Sequence, residues 1–532
     1  MAVGELTKQF LETKKVTITF PKGGRLVNYE QQTGGLVSAF STYGPSFDLR
    51  FKPSIGAHGG QILSTYPLTK GGYMVMPGTS MATPYLAGCA ALYLQVRGKN
   101  ADVARRARNF FESTSVMLPA SHEENSMWQS VTAQGAGLVD AYAAAYAQSY
   151  VWPGELLLND TEHFSGTQNF TVKNLGSKEK KYGVSHFSAG TAITIKPGSI
   201  QAALGPVLLT DSFAKVDLSS TSFTLAPNES KIVTAKFTPP QGLDKKTLPV
   251  YSGFIQVEAE GDGEEGKVHV SYMGVAGSLF DQQVLDDTDD VEKGLALPAI
   301  ILGEKDGKTT VQEKAMTFEF EGNETFPQLI VRMAFGSPQA DIEFVDASVD
   351  LNKVAGSKIP VVGSLFNQTD MPRNTLSATP NQGVVLFPLN NNVTFSNGTL
   401  VPDGTYKVLA RALRVTGNRD DLNDWDMWLS PAMTFKFNES VRKELRITAA
   451  SASEDKNVDT PVYKERWFIA TLSIGALLVV VGAVAGFFLS KRKRQSTIPS
   501  EAPFVPPMGA YKPLLESKQP RQGYSDTNYR LN

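Results

Sequence analysis

The first 150 residues alternate between helical and strand-like patterns. Glu5–Glu12 predicts a short helix, and the alternating apolar and β-branched residues of Val16–Phe20 predict a strand. Leu36–Phe40 predicts a second strand. An apolar, small-residue run passes through Ser80 to Leu92 and Leu94 and predicts a buried helix. Pro84 is expected in its first turn, where a missing N–H costs little. Ala101–Ser113 predicts a surface helix that exposes Arg105, Arg106 and Arg108. Asp140 is placed to start a last helix, rich in Ala and Tyr, that runs to about Gln148.

After Trp152-Pro153-Gly154 the period changes to two. Strands are predicted within 168–176, 251–257 and 270–277, then at Thr317–Phe320, Gln328–Met333, Gly383–Pro388 and Gly404–Leu413. Short strands separated by turns predict β-sandwiches, and Pro402-Asp-Gly-Thr405 is one such turn. The expected fold is therefore multidomain: an α/β portion over 1–148, a β-sandwich over 149–280 and a second β-rich domain over 281–445. A polar linker (446–466), one transmembrane helix (467–489) and a disordered tail (490–532), rich in Pro, Ser, Lys and Gln, complete it.

The transmembrane reading rests on Trp467–Leu489, an uncharged run of 23 residues. At about 1.5 Å per residue it is long enough to cross a bilayer. Lys491-Arg-Lys-Arg494 follows at once, which places the C-terminal side in the cytoplasm. Eight Asn-x-Ser/Thr sequons, at Asn159, Asn169, Asn228, Asn323, Asn367, Asn392, Asn397 and Asn438, all precede the run. They are candidate N-glycosylation sites and independently place the bulk of the chain in a lumen or outside the cell. Met1–Glu5 does not begin an export signal of the usual kind. In the tail, Tyr511-Lys-Pro-Leu514 fits a Tyr-x-x-apolar sorting signal.

A net charge of −2 gives no reason to expect nucleic acid as a partner. The single cysteine, Cys89, excludes an intrachain disulfide. No phosphate-binding glycine loop, internal repeat or zinc-type His/Cys cluster occurs, so no cofactor is expected.

Candidate chemistry centres on Ser80. Gly78 permits close backbone approach before it, and the helix after it puts Ser80 at a helix N-terminus. Free N–H groups and the helix dipole suit an oxyanion there. The string Gly78-Thr-Ser-Met-Ala-Thr-Pro84 followed by Ala87-Gly88 resembles the nucleophile motif of the subtilisin-like serine proteases (subtilases). Phe40-Ser41, Gly44-Pro45, Lys52-Pro-Ser-Ile-Gly-Ala57-His58-Gly-Gly60 and Ile62-Leu-Ser-Thr65 resemble the preceding segments of that family in order. Ser54 departs from an aspartate and His58 from a proline. Gln134-Gly-Ala-Gly-Leu-Val-Asp140-Ala141 resembles the motif that opens the last helix of the domain, and residues 168–277 resemble its fibronectin-III-like companion module.

The resemblance implies a serine endopeptidase acting on proteins or peptides through an acyl-enzyme on Ser80. It also implies an Asp-Ser/Thr-Gly motif, a His-Gly-Thr-His motif and an oxyanion Asn upstream of the serine, and none of these is found. The five histidines, His58, His122, His163, His186 and His269, lie outside any such string. In subtilisin, a measured case from this same family, loss of the base alone lowers kcat about 10⁶-fold. Two readings follow. In one, the chain is an N-terminally truncated membrane-anchored endopeptidase. In the other, it is a catalytically dead surface glycoprotein whose sandwiches bind or space. On either reading the sandwiches are expected to fold without residues 1–148.

Overall fold

The computed structural model describes residues 31, 33–290, 294–303, 309–320, 327–354, 358–374, 384–389 and 394–438. The expected helix at Glu5–Glu12, the strand at Val16–Phe20, the linker, the run Trp467–Leu489 and the tail lie outside them, as do Asn323 and Asn392. Among the described residues no helix is long and apolar enough to cross a membrane.

The Ser80 segment contains a hairpin, β1 (Ile62–Thr65) and β2 (Tyr73–Met76), paired with Leu63 opposite Val75. Four helices follow: α1 (Thr79–Arg97), α2 (Ala101–Ser113), α3 (Val131–Gln134) and α4 (Ala141–Tyr146). Each of the last three begins on a side chain that accepts a backbone N–H, from Asn100, Ser130 and Asp140 respectively. Asp140 is thus a helix-start residue, as its motif predicted. Leu36–Phe40 is not a strand but turns and bends. A strand persists only where its backbone groups find a partner, and no described strand lies alongside to supply one.

Helix α1 also departs from expectation. Its Cys89 and Tyr93 are buried with Val103, Phe110 and Phe111 of α2 and Val139 and Ala144 near α4. The flank beside the packed residues is bare: Tyr85, Leu92 and Val96 are 45%, 55% and 44% exposed. The helix is apolar beyond its packed face, whereas such helices are normally covered all round. Arg97 fixes the packed side. It donates to the carbonyls of Ala144 (2.9 Å) and Ala147 (2.8 Å) and lies 4.0 Å from the Phe110 ring centre.

The Gly135-Ala-Gly137 motif threads between two other backbone segments. A Cβ on Gly135 would lie 2.5 Å from Ser54 C, and one on Gly137 would lie 2.4 Å from the Val116 carbonyl oxygen. Gly137 also has φ +135°. The close approach allows Gly56 N–H to reach Gly137 O at 2.8 Å and Val139 N–H to reach Gly56 O at 2.9 Å.

Two sandwiches follow. The first comprises β3 (Ser149–Trp152), β4 (Glu155–Leu157), β5 (Thr167–Asn174), β6 (Lys180–Ala192), β7 (Leu209–Thr210), β8 (Lys215–Leu218), β9 (Ser222–Leu225), β10 (Ser230–Thr238), β11 (Val250–Ala259) and β12 (Lys267–Val275). One sheet has the order β3-β5-β10-β8. The other is β4-β12-β11-β6-β7, with β9 also on β6. Phe170 and Val172 of the first sheet meet Tyr182, Ile255 and Tyr272 of the second in one core.

The second sandwich comprises β13 (Ala299–Gly303), β14 (Thr309–Val311), β15 (Met316–Phe320), β16 (Gln328–Val331), β17 (Ser337–Asp346), β18 (Val361–Met371), β19 (Val385–Pro388), β20 (Gly404–Leu413), β21 (Trp425–Leu429) and β22 (Met433–Phe437). Its sheets are β14-β13-β16-β19 and β15-β22-β20-β17-β18, with β21 on β20. The four strands predicted here occur, with ends shifted by two residues or fewer.

A third core joins the segments. Leu49, Phe51 and Val131 pack with Val250, Phe254 and Met273 of the first sandwich and with Phe335 and Val415 of the second. The first sandwich therefore shares one core with the Ser80 segment and with the second sandwich.

Candidate functional site

Ser80 is the second residue of α1 and is exposed. The backbone before it is held from one side: Gly78 N–H donates to Gly59 O at 2.8 Å. Gly59 has to be glycine, because a Cβ there would lie 2.7 Å from Gly78 O and 3.0 Å from Ala82 Cβ. The Gly78 carbonyl in turn accepts from Met81 (3.0 Å) and Ala82 (3.3 Å) and starts the helix. The Thr79 and Ser80 N–H groups have no acceptor among the described residues, as expected for the first turn.

Pro84 is the sixth helical residue, in the second turn and not the first. It therefore removes a helical hydrogen bond: the i→i−4 donor that would cover the Ser80 carbonyl is absent. The Thr83 hydroxyl donates to the neighbouring carbonyl, Thr79 O, at 2.9 Å and leaves the Ser80 carbonyl uncovered. The result is a helix start with two free N–H donors around Ser80, which can hold an oxyanion.

The Ser80 hydroxyl has no hydrogen-bond partner among the described residues. His58, the nearest histidine in sequence, is exposed and does not bond to it. Its ring lies 4.9 Å from that of Tyr85, centre to centre. A cavity of about 520 Å³ lies beside the helix start, bounded by His58, Gly59, Gly78, Thr79, Thr83 and Leu86 among others. Leu63 (68% exposed) and Tyr73 of the adjacent hairpin are also bare.

Three further histidines are engaged within or beside the first sandwich. His163 faces the buried Asp160 carboxylate at 2.8 Å, and His186 meets the Tyr272 hydroxyl at 2.9 Å. His269 is buried, and burial pushes its pKa down to about 4. Ser54 does not act as an acid. Its Oγ accepts from Arg108 Nη2 at 3.1 Å.

Arg108 belongs to a cluster that the sequence reading missed. It also pairs with Glu112 and Glu155, each at 2.6 Å, and so joins α2 to β4. Burial of Glu112 outweighs that pairing and pushes its carboxyl up to about 7. The i,i+4 spacing of Arg108 and Glu112 was visible in the sequence; Glu155 and the burial were not. Asp160, Glu162 and His163 lie close enough to share an ion, but the first and last already pair with each other.

Residues 1–137 match the profile described as the subtilase family, and residues 156–273 match that of an Fn3-like domain. Over 383 residues the chain is 25% identical to a PII-type proteinase of Lacticaseibacillus paracasei, covering 65% of this chain and 19% of that protein. It is 27% identical over 290 residues to a C5a peptidase of Streptococcus pyogenes serotype M3, covering 52% and 23%. It is 32% identical over 170 residues to the minor extracellular protease Vpr of Bacillus subtilis, covering 30% and 20%. The chain spans about a fifth of the length of these curated relatives.

Proposed function

We propose, from the premise that this chain belongs to the large multidomain subtilases, that it is part of a membrane-anchored serine endopeptidase with Ser80 as nucleophile. The observation that carries this is the helix start itself: a subtilase serine motif on an exposed first turn, with free N–H groups beside the hydroxyl. In the reaction, Ser80 Oγ bonds to the scissile carbonyl carbon while a base takes its proton. The tetrahedral oxyanion is held by helix-start N–H groups. Return of the proton to the amine breaks the C–N bond, and water then hydrolyses the acyl-enzyme.

The base, its orienting acid and the side-chain oxyanion donor are not identified within these 532 residues. On this reading they come from further subtilase polypeptide that packs on the bare apolar surface around Ser80. Leu63, Tyr73, Tyr85 and Leu92 are the contact residues expected for it. Substrates are proteins or peptides. Residues 467–489 anchor the chain, with the bulk of it, including the sequons, in a lumen or outside the cell.

A second reading, a non-catalytic surface glycoprotein, is favoured by one observation: no described residue offers Ser80 a base. A fluorophosphonate probe separates the two. The full-length product should label on Ser80 and lose the label in Ser80→Ala. Absence of labelling in that product removes the enzyme reading and leaves the second.

A further inference from the structure

The first sandwich holds two tyrosines in mirrored settings. On the paired strands β11 and β12, Tyr251 stands opposite Gly274 and Tyr272 opposite Gly253. Each ring lies across the glycine that faces it. A Cβ on Gly274 would overlap the Tyr251 ring and hydroxyl, and one on Gly253 would lie 2.7 Å from the Tyr272 hydroxyl. Both tyrosines are at most 1% exposed. Their hydroxyls differ. That of Tyr272 meets His186 Nε2 at 2.9 Å. That of Tyr251 has no hydrogen-bond partner among the described residues. Burial pushes its pKa up, so the phenol stays neutral and keeps a proton to donate.

Tyr251 lines a cavity of about 200 Å³ that opens between two loops of the sandwich. The connection from β4 to β5 supplies Thr161 and Phe164, whose ring is 37% exposed. The chain leaving β10 supplies Pro239 and Pro240, and the end of β12 supplies Val275. Most of these walls are apolar. The Thr161 hydroxyl oxygen already accepts from Gly277 N–H at 2.9 Å, which leaves its own proton to give. The hydroxyls here thus offer donors, and a nearly buried donor without an acceptor is costly until something supplies one. Lys245 also lines the cavity, but Glu162 adjoins Thr161, so the rim does not present one sign of charge. The volume is below that of a pocket for a drug-sized ligand.

We propose that this cavity binds a neutral carbonyl group carried on a compact apolar body, chemically the amide of one apolar amino acid. The carbonyl oxygen accepts from the Tyr251 hydroxyl, and the apolar body packs against Phe164, Pro239 and Pro240. A carbonyl oxygen has two lone pairs, so Thr161 can donate to it as well. The same chemistry is presented by a free N-acyl amide and by an apolar residue within an extended peptide. The site belongs to the first sandwich and does not depend on Ser80 being a working nucleophile.

The test uses the full chain in phospholipid nanodiscs and saturation-transfer NMR, with empty nanodiscs subtracted. The probes are N-acetyl-proline methylamide and N-acetyl-leucine methylamide. Both should bind saturably, and the free acid N-acetyl-proline should bind more weakly. Tyr251→Phe keeps the ring over Gly274 and removes only the donor. It should weaken both amides about fivefold, the share of one hydrogen bond, while the empty variant resists urea at least as well as wild type. Phe164→Ala, at a partly exposed ring, should weaken both amides independently, and it carries the test if Tyr251→Phe does not fold. A pentapeptide amide of alanine with proline at its centre separates the two sources. Tighter binding than the single amide supports a site for polypeptide, and equal binding supports a site for the small amide. No saturable binding of either amide, preference for the free acid, or wild-type affinity in the folded variants overturns the assignment.

Discussion

His269 Nε2–H donates to the Ala136 carbonyl at 2.9 Å, from β12 of the first sandwich to the glycine-rich turn of the Ser80 segment. Phe254 meets the ring edge-on at 5.4 Å. A buried neutral imidazole thus satisfies a carbonyl in the seam where two parts of the chain share one core.

Burial of this imidazole makes the seam acid-sensitive. Burial lowers the His269 pKa from its ordinary 6.5 to about 4. The unfolded chain then binds more protons between those values. Stability is fully present above pH 6.5 and falls as pH drops toward 4, by on the order of 3 kcal/mol. Urea unfolding of wild type and His269→Gln across this range should show the extra acid slope in wild type only. Equal slopes would remove the histidine from the account.

Glu112 acts in the opposite direction. Its folded pKa of about 7 stands above the ordinary 4.5, because burial outweighs Arg108. Its contribution is fully present below pH 4.5 and is lost as pH rises through about 7. Glu112→Gln should flatten the stability profile between pH 4.5 and 7. Equal slopes in wild type and variant over that range would contradict this.

Gly137→Ala should be among the most damaging small changes. The added methyl meets the Val116 carbonyl oxygen at 2.4 Å on a backbone at φ +135°. A loss of more than about 2 kcal/mol is expected from strain of this kind. Chemical denaturation measures it, with Gly198→Ala as control: that position is also left-handed but has open space around it.

Helix α1 should tolerate change on one face only. Tyr93→Ala removes a buried ring and should cost about 3–5 kcal/mol. Leu92→Ser, on the bare face, should stay within about 0.5 kcal/mol. If Leu92→Ser costs as much as Tyr93→Ala, that flank of the helix is covered within this chain by itself.

The sequence alone determined the local features. The Ser80 motif, the helix at Ala101–Ser113, the Asp140 helix start and the strand of Gly404–Leu413 were all legible. Their signals lie within a few residues: a cap, a turn, a period of 3.6 or 2. Tertiary structure decided what those elements touch. The same apolar residues of α1 are buried at Tyr93 and bare at Leu92, because burial depends on which neighbours are present and not on the helix's own composition. Leu36–Phe40 has strand-like alternation without strand structure, for want of a hydrogen-bonding partner. Ser80 shows both parts together: its motif and helix start are local and readable, while the partners that would make it a nucleophile are matters of three-dimensional neighbourhood.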